Sequence, residues 1–389
     1  MQMKPLIAVS ITTFNSFVLL SLIHLVIPLY LLELGTSLIE IGLIIASRSV
    51  VMMFLAVPFG LLSDRKGRRN LVLVGLLIIT GSAFLLAFAT TSIHVLAAFM
   101  VFGVGWAAFE PSISALVVDE SDPTRIARSY GTFATFLQGG FSLGPVLAGV
   151  LMMTFGVKLT FLVGAFTATA SSLIWWVMMK RTKWSAPTTV SARPKVLSVF
   201  KQFRGNNLVL VGWAAVFPSF ILIGGFEGFV PVYAKVVGMS PLIIGALFSV
   251  SFVVGMATRI PLGALLDRTK RKVYLIAGGL ASAAVMMAIV PFFTDPRILV
   301  VIFCLTAIAR AMPNVGGNSL VGLGTTRDNR GVAMGVTGIF RNLGLAIGPM
   351  LLGIVASAQG FQIAFPVLAT IGVAGAMVVY LIGRNAHRR

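Results

Sequence analysis

The sequence predicts an all-α integral membrane protein of twelve transmembrane helices, arranged as two six-helix bundles related by a pseudo-twofold axis along the membrane normal. Three observations predict this fold. The chain is 58% hydrophobic and only 11% charged, with a mean hydropathy of +1.00, whereas soluble domains are about 25% charged. Apolar segments of membrane-spanning length recur along the chain. Finally, the chain resembles itself at an offset of 203 residues.

The apolar segments are long enough to be α-helical spans. A helix needs about 20 residues to cross about 30 Å of hydrocarbon. Continuous runs of this length exclude the short, alternating strands of a membrane β-barrel. We expect spans at residues 6–32, 40–62, 71–91, 94–118, 130–153, 159–180, 207–235, 240–262, 273–292, 298–322, 332–357 and 362–383.

The net charge of +19 follows membrane topology rather than a nucleic-acid surface. With the N-terminus placed inside, only Lys158, Lys235 and Arg297 of the 30 Lys and Arg residues fall on the outer side. This asymmetry predicts a multi-pass protein of the cell membrane with both termini in the cytoplasm. We expect the lipid bilayer as its surroundings and no nucleic-acid partner.

The longest polar segment predicts the domain organisation. Residues 181–206 combine basic residues with Ser, Thr and Pro, which is typical of linkers. We predict an N-terminal six-helix bundle at 1–180, a cytoplasmic linker at 181–206 and a C-terminal six-helix bundle at 207–389.

The two predicted bundles are copies with the same orientation, because six spans separate them. At the offset of 203, many Gly, Pro, aromatic and polar residues coincide, including Phe14 with Phe217, Phe17 with Phe220, Pro28 with Pro231, Tyr30 with Tyr233, Gly35 with Gly238 and Gly42 with Gly245. Parallel repeats of this kind place a substrate site at their interface near the middle of the bilayer.

A charged loop recurs after the second and eighth predicted helices. Its first copy contains Gly60, Asp64, Arg65, Gly67, Arg68 and Arg69, and its second contains Gly263, Asp267, Arg268 and Arg271. Glycine lets helices approach closely, and aspartate can pair with an arginine. A plain positive anchor would need neither. The motif resembles the signature loop of the major facilitator superfamily, with Lys270 where the pattern has Gly. This resemblance implies a secondary transporter with a cytoplasmic gate in these loops.

Predicted helices 5 and 11 have the same spacing of glycines and proline. The residues are Gly131, Gly140, Gly144, Pro145 and Gly149 in helix 5, and Gly335, Gly344, Gly348, Pro349 and Gly353 in helix 11. Small residues at this spacing favour close helix packing. The helix 5 set resembles the motif of proton-driven exporters within that superfamily, with Ala148 in place of one Gly. Its recurrence in helix 11 also fits ordinary packing inherited by both copies.

Ionisable groups within spans are costly and tend to face a cavity or a partner. Glu227 and His24 occupy equivalent repeat positions, each four residues before a Pro, and helix 4 carries Glu110. The arginine that related exporters carry in helix 4 is missing between Phe99 and Gly103. We predict Glu227, His24 and Glu110 as candidate proton carriers. The alternatives are a neutral, hydrogen-bonded His24 and a structural ion pair for Glu110.

Several other residues are candidates for substrate binding. Arg48, Arg310 and Arg341 can hold an anionic group, but Arg48 can instead pair with Glu110, and Arg310 or Arg341 can neutralise Glu227. Arg259 lies near enough to the cytoplasm to extend its charge there. Phe14, Phe17, Phe217 and Phe220 either line an apolar pocket or pack between helices.

These observations favour proton-coupled efflux of small amphipathic, drug-like molecules by alternating access. One alternative is transport of a small organic anion. Another is a receptor or scaffold without transport, although such a protein needs no charged spans. One cysteine, Cys304, and three histidines predict no metal site. The sequence has no phosphate-binding Gly-Lys-Ser/Thr loop. We expect no cofactor and no enzymatic activity, and the resemblance implies a monomer.

Overall fold

The computed structural model describes residues 5–122, 125–181, 203, 205–269 and 271–386. Most of the predicted linker, and Lys270, lie outside these residues. Four helices come first: α1 Pro5–Glu33, α2 Leu38–Lys66, α3 Arg68–Ala87 and α4 Ser92–Asp119. A long helical segment, Ile126–Arg181, completes the first half. The second half contains α7 Asn207–Val236, α8 Pro241–Arg268, α9 Lys272–Ile289, α10 Pro296–Leu323, α11 Arg327–Gln359 and α12 Phe361–Ala386.

The long segment Ile126–Arg181 is two helices that meet at Gly156. The backbone of Gly156 has φ 77° and ψ 174°, which breaks the helix. A positive φ of this size is easily adopted only by glycine. We label the helix before it α5 (126–155) and the one after it α6 (157–181). The described part of the chain therefore contains twelve α-helices in the predicted order, with a short 3-10 helix, Val290–Phe292, after α9.

The helices have the length and composition of membrane spans. With α5 and α6 counted as one, eleven helices are long and apolar enough to cross a bilayer. Large apolar side chains such as Phe54 and Ile260 are exposed, as lipid-facing residues would be. In α1 and α7, 72% of the most apolar stretch is buried, more than in any other described span. These two equivalent helices are therefore central to the packing.

The internal repeat is visible in the backbone. Besides Gly67, the described glycines with positive φ form two pairs at repeat positions, Gly35 with Gly238 and Gly156 with Gly360. Side chains repeat as well. The Tyr30 hydroxyl donates to the carbonyl of Ala89 at 2.7 Å, and the Tyr233 hydroxyl donates to that of Phe293 at 3.1 Å.

The described residues divide into two compact units. Unit 1 comprises the described residues within Met1–Thr36, Ser47–Val190 and Ala234–Val253. Unit 2 comprises those within Ser37–Ala46, Ser191–Tyr233 and Val254–Arg389. The start of α8 therefore belongs to unit 1, and the start of α2 to unit 2. The core of unit 1 contains the fully buried aromatic residues Phe99, Phe102, Trp106 and Phe109. The core of unit 2 includes the cluster Val211, Ala215, Leu266, Ile276 and Leu320.

Candidate functional site

An ion pair joins Glu227 of α7 to Arg310 of α10 within the apolar spans of unit 2. The Arg310 Nη1 lies 3.4 Å from the Glu227 Oε1, and the side chains are 15% and 17% exposed, respectively. The guanidinium carbon of Arg310 also lies 5.6 Å from the centre of the Phe226 ring, a cation–π distance. Of the two roles considered for Arg310, the structure shows the contact with Glu227; a role of Arg310 in holding a substrate anion stays a prediction.

A small cavity adjoins this pair inside unit 2. It lies between α7, α9 and α10, and its polar lining consists of Ser219, Thr306 and Arg310. Apolar side chains, including Phe226 and Met287, complete the walls. The cavity volume is about 10 Å³. Arg310 thus contacts the carboxylate of Glu227 and also lines a small, largely apolar cavity.

His24, the repeat equivalent of Glu227, has different neighbours in unit 1. Its ring meets Phe99 and Phe141 edge-on, with centroids 6.4 and 6.2 Å away. Its charged neighbour is Arg48, which interacts with it electrostatically. Arg48 is 7% exposed and donates from Nη1 to the sulfur of Met52 at 3.3 Å. His24 therefore lies in an aromatic, cationic environment, which differs from the ion pair in unit 2.

The remaining charged candidates occupy α4, α8 and α11. Glu110 and Arg341 are half-buried, whereas Arg259 is exposed on α8. A Cβ built on Gly255 would lie 3.6 Å from that of Ala307, so α8 packs closely on α10. One turn further along, Arg259 interacts electrostatically with Arg310. The roles of Glu110, Arg259 and Arg341 stay predictions.

The four candidate phenylalanines make packing contacts inside the units. Phe14 meets Phe136 at a centroid distance of 6.4 Å, and Phe17 meets Trp106 at 5.0 Å. In unit 2, Phe217 meets Phe340 at 5.7 Å, and Phe220 packs beside Gly344. Phe17 is only 7% exposed, so packing between helices describes it better than a pocket wall. A substrate role for the other three stays a prediction.

The first charged loop forms a compact ion-pair cluster. Arg68 lies 3.3 Å from Asp64 and 2.6 Å from Asp119 at the end of α4, and all three side chains are 14–16% exposed. Gly67 has φ +93° between α2 and α3, which explains why a glycine is needed there. Sequence reasoning missed Asp119. Its signal is an acid in the last turn of a helix, where the dipole disfavours negative charge unless a cation compensates.

The second charged loop is looser. Asp267 lies 4.0 Å from Lys272, and its side chain is 79% exposed, so the pair contributes little. The repeat offset in this region is 204 residues, which places Leu323 opposite Asp119. The second copy therefore lacks the acid that completes the first cluster.

The glycines of α5 and α11 lie against the central helices. A Cβ on Gly144 would lie 2.5 Å from the carbonyl oxygen of Val18, and one on Gly344 would lie 2.9 Å from that of Phe217. Gly140 and Gly348 are equally tight against α1 and α7. In the same units, Gly149 contacts Pro241 and Gly353 contacts Leu38. By contrast, Gly131 and Gly335 have no described atom within 4 Å of such a Cβ, so close packing does not explain them.

The chain matches the sequence profile of the Major Facilitator Superfamily over residues 9–295 and 238–389. The protein belongs to this superfamily. It is therefore a multi-pass membrane transporter of small molecules rather than an enzyme.

Relatives within the superfamily are similar over nearly their whole length. The uncharacterized MFS-type transporter MJ1560 of Methanocaldococcus jannaschii is 21% identical, covering 97% of this chain and 98% of that protein. The quinolone resistance protein NorA of Staphylococcus aureus (strain COL) is 22% identical, covering 99% of this chain and 97% of NorA.

Solved structures of major facilitator transporters share the fold. A bacterial homolog of the human lysosomal transporter Spinster, in an inward-facing and occupied conformation, has a TM-score of 0.83 and 15% identity, covering 97% of this chain and 96% of that one. The nucleoside transporter NupG has a TM-score of 0.79 and 15% identity, covering 97% of this chain and 99% of that one.

Proposed function

We propose that this transporter is a proton-coupled exporter of small amphipathic molecules, with Glu227 as the principal proton carrier. The ion pair with Arg310 is the observation that carries the proposal. Charges inside a membrane protein are expensive to keep and mark ion pathways or substrate sites. A carboxylate that is 17% exposed and paired with Arg310 can exchange a proton without leaving its place in the helix.

Protonation of Glu227 would change the contact between α7 and α10. The ionised carboxylate attracts Arg310 by charge as well as by hydrogen bonding, and such contacts are roughly twice as strong as neutral ones. A protonated, neutral Glu227 can keep a hydrogen bond with Arg310 but no longer balances its charge. Another group must then compensate the positive charge of Arg310. Proton binding is thereby converted into a rearrangement at the centre of unit 2, which alternating access requires.

Two observations support the proposal that the exported compounds are drug-like. NorA, which is named for quinolone resistance, aligns with nearly the whole chain. The α5 motif with its proline is also intact apart from Ala148.

We propose His24 and Glu110 as secondary proton carriers. We also propose that the Asp64–Arg68–Asp119 cluster forms a cytoplasmic gate, that two bundles move about a shared substrate path, and that the transporter works as a monomer.

Transport of an organic anion is the competing function, and the ion pair weighs against part of it. The charge of Arg310 is already offset by Glu227. An anionic substrate would therefore depend on Arg48 or Arg341, or would have to displace the carboxylate. In that case neutralising Arg48 or Arg341 should weaken the binding of anions more than that of cations.

The test is flux by the purified protein in liposomes with an imposed pH gradient. We expect accumulation of a cationic dye against its gradient, driven by opposite proton flow. Glu227→Gln should reduce uphill accumulation at least about tenfold, equivalent to roughly 1.4 kcal/mol of lost coupling, because the amide cannot carry the proton. Dye binding should change much less, since the amide preserves the shape of the side chain.

Glu33→Gln is the matched control, because it makes the same chemical change at an exposed helix end and should transport normally. Normal uphill transport by Glu227→Gln would remove Glu227 as the coupling site. Accumulation of organic anions alone, with or without the pH gradient, would replace the proposed export by the anion function.

A further inference from the structure

The hydroxyl of Ser219 in α7 is buried without a described partner. Ser219 is 1% exposed, and its Oγ finds no hydrogen-bond partner among the described residues. Several other buried serines donate to a carbonyl of the preceding helical turn, as Ser112 does to the carbonyl of Ala108 at 2.7 Å. A buried hydroxyl without a hydrogen bond destabilises the folded state, so Ser219 needs an explanation.

The cavity beside the ion pair supplies one. Ser219 and Arg310 both line it, together with Thr306. Thr306 donates its own hydroxyl to the carbonyl of Ile302 at 2.7 Å, which leaves its oxygen able to accept. The cavity volume of about 10 Å³ is close to the smallest volume that holds one water molecule. A buried water also needs two to four polar partners. An organic substrate does not fit in such a space.

The helical repeat places this cavity next to Glu227. Ser219, Ile223 and Glu227 follow each other at intervals of four residues, so they lie on one face of α7. The Ser219 and Glu227 positions are about 12 Å apart along the helix axis. Arg310 contacts Glu227 and also lines the cavity together with Ser219. Its side chain therefore connects the cavity to Glu227.

We propose that this cavity is a binding site for one water molecule, which joins the Ser219 hydroxyl to the Arg310 guanidinium. The water accepts a hydrogen bond from Arg310 and exchanges one with Ser219. Ser219 is thereby a positioning residue that holds Arg310 against Glu227. The consequence for transport rests on the proposed function, whereas the water site stands on the cavity and its polar lining.

The first test is the sign of a stability change in the purified, full-length protein. A water bonded to Ser219 loses a partner in Ser219→Ala, so the melting temperature should fall, by about 1–3 °C. A dry cavity predicts the opposite, because deleting an unpaired buried hydroxyl removes its desolvation cost. A melting temperature that rises in Ser219→Ala would overturn the proposal.

The second test separates positioning from general packing. Ser219→Asn carries an amide that can take the place of the water, so it should melt within about 1 °C of the wild type, whereas Ser219→Leu, of similar size, should melt clearly lower. Equal losses in both variants would mean that size alone matters and would contradict the proposal. If Ser219→Leu does not fold, the sign in Ser219→Ala still decides.

The third test is non-additivity with Glu227→Gln. Because Ser219 acts through Arg310, Ser219→Ala and Glu227→Gln should have coupled effects on melting, as neighbours in one network do. Ser16→Ala is the matched control, since Ser16 is the repeat equivalent in α1, is 1% exposed and also has no described partner. Its effect should add to that of Glu227→Gln. Coupling of Ser16 equal to that of Ser219 would overturn the proposal. A failure of proton-driven flux would not affect these measurements.

Discussion

At the scale of single residues, the two halves differ most at the positions of the ion pair. The repeat equivalents of Glu227 and Arg310 are His24, at an offset of 203, and Trp106, at 204. Trp106 is fully buried and packs on Phe17. Unit 2 therefore has an acid and a base where unit 1 has aromatic rings. The chemistry of the ion pair is confined to one copy of the repeat.

We expect Glu227 and Arg310 to stabilise unit 2 only while both charges are present. Arg310→Gln leaves the Glu227 carboxylate without this cation, and breaking a buried pair costs about 3–5 kcal/mol, with the lower end expected here because each side chain is partly exposed. The double variant Glu227→Gln with Arg310→Gln removes both charges and should recover most of the lost melting temperature. Melting of the three variants in detergent checks this. A double variant no more stable than Arg310→Gln would contradict the prediction.

We also expect Asp119 to matter as much as the motif residue Asp64. Asp119→Asn removes the negative charge from the shorter contact to Arg68, and a hydrogen bond between charged groups contributes about 1.5–3 kcal/mol. The melting temperature should fall, and the transport rate should drop by roughly three- to tenfold if the cluster closes a gate.

Asp267→Asn is the matched control for this cluster, because its carboxylate is 79% exposed and 4.0 Å from Lys272. It should change both readings little. Equal effects of the two substitutions would mean that the cluster has no special role. Asp119 could not be predicted from the repeat, because its counterpart is Leu323 and only the fold brings the end of α4 to Arg68.

At the scale of helices, the glycines of α5 and α11 separate into two kinds. Gly140, Gly144, Gly344 and Gly348 allow the backbones of α5 and α11 to touch those of α1 and α7. Backbone contact of this kind is the main way in which helices associate inside a bilayer, where burial of apolar surface gives no net gain. The first glycine of each motif lies outside these contacts.

We expect Gly140→Ala to destabilise the protein, because the new Cβ would meet the carbonyl oxygen of Phe14 and overpacking costs about 1–3 kcal/mol. Gly139→Ala is the adjacent control, since its Cβ would lie 3.5 Å from the Phe14 ring. Gly131→Ala should be neutral, or more stable by about 0.5–1 kcal/mol. Melting temperatures check the order, and a Gly140→Ala variant as stable as the two controls would contradict it.

The sequence predicted the helices well because their signal is local. Composition and length mark each span, and the start of α11 even carries its capping box at Thr326 and Asn329. Which glycines make contact could not be predicted, because spacing defines a face of the helix but not how far along it the neighbour extends. The pairing of Arg310 with Glu227 depends on packing between helices for the same reason.

At the scale of the whole molecule, the orientation in the membrane is the prediction with the widest consequences. The proposed direction of export depends on both termini being cytoplasmic. The single cysteine makes this easy to test, because Cys304→Ala gives a cysteine-free background. Thr294, before α10, and Arg384, near the end of α12, are both exposed, and the predicted topology places them on opposite sides.

In intact cells, we expect a membrane-impermeant maleimide to label Thr294→Cys and not Arg384→Cys, because basic residues stay in the cytoplasm. Permeabilised cells are the control and should label both positions. The reverse pattern in intact cells would invert the topology, and with it the assignment of the Asp64 cluster to a cytoplasmic gate.

The confinement of the ion pair to unit 2 also bears on membrane voltage. While Glu227 is ionised, the pair contributes no net charge, so moving it through the transmembrane field does almost no electrical work. Once Glu227 takes up a proton, Arg310 contributes a full positive charge, and a charge that crosses the whole field gains or loses about 2.3 kcal/mol per 100 mV. The protonated step would therefore be the electrogenic one, and a potential that is negative inside would drive it inward.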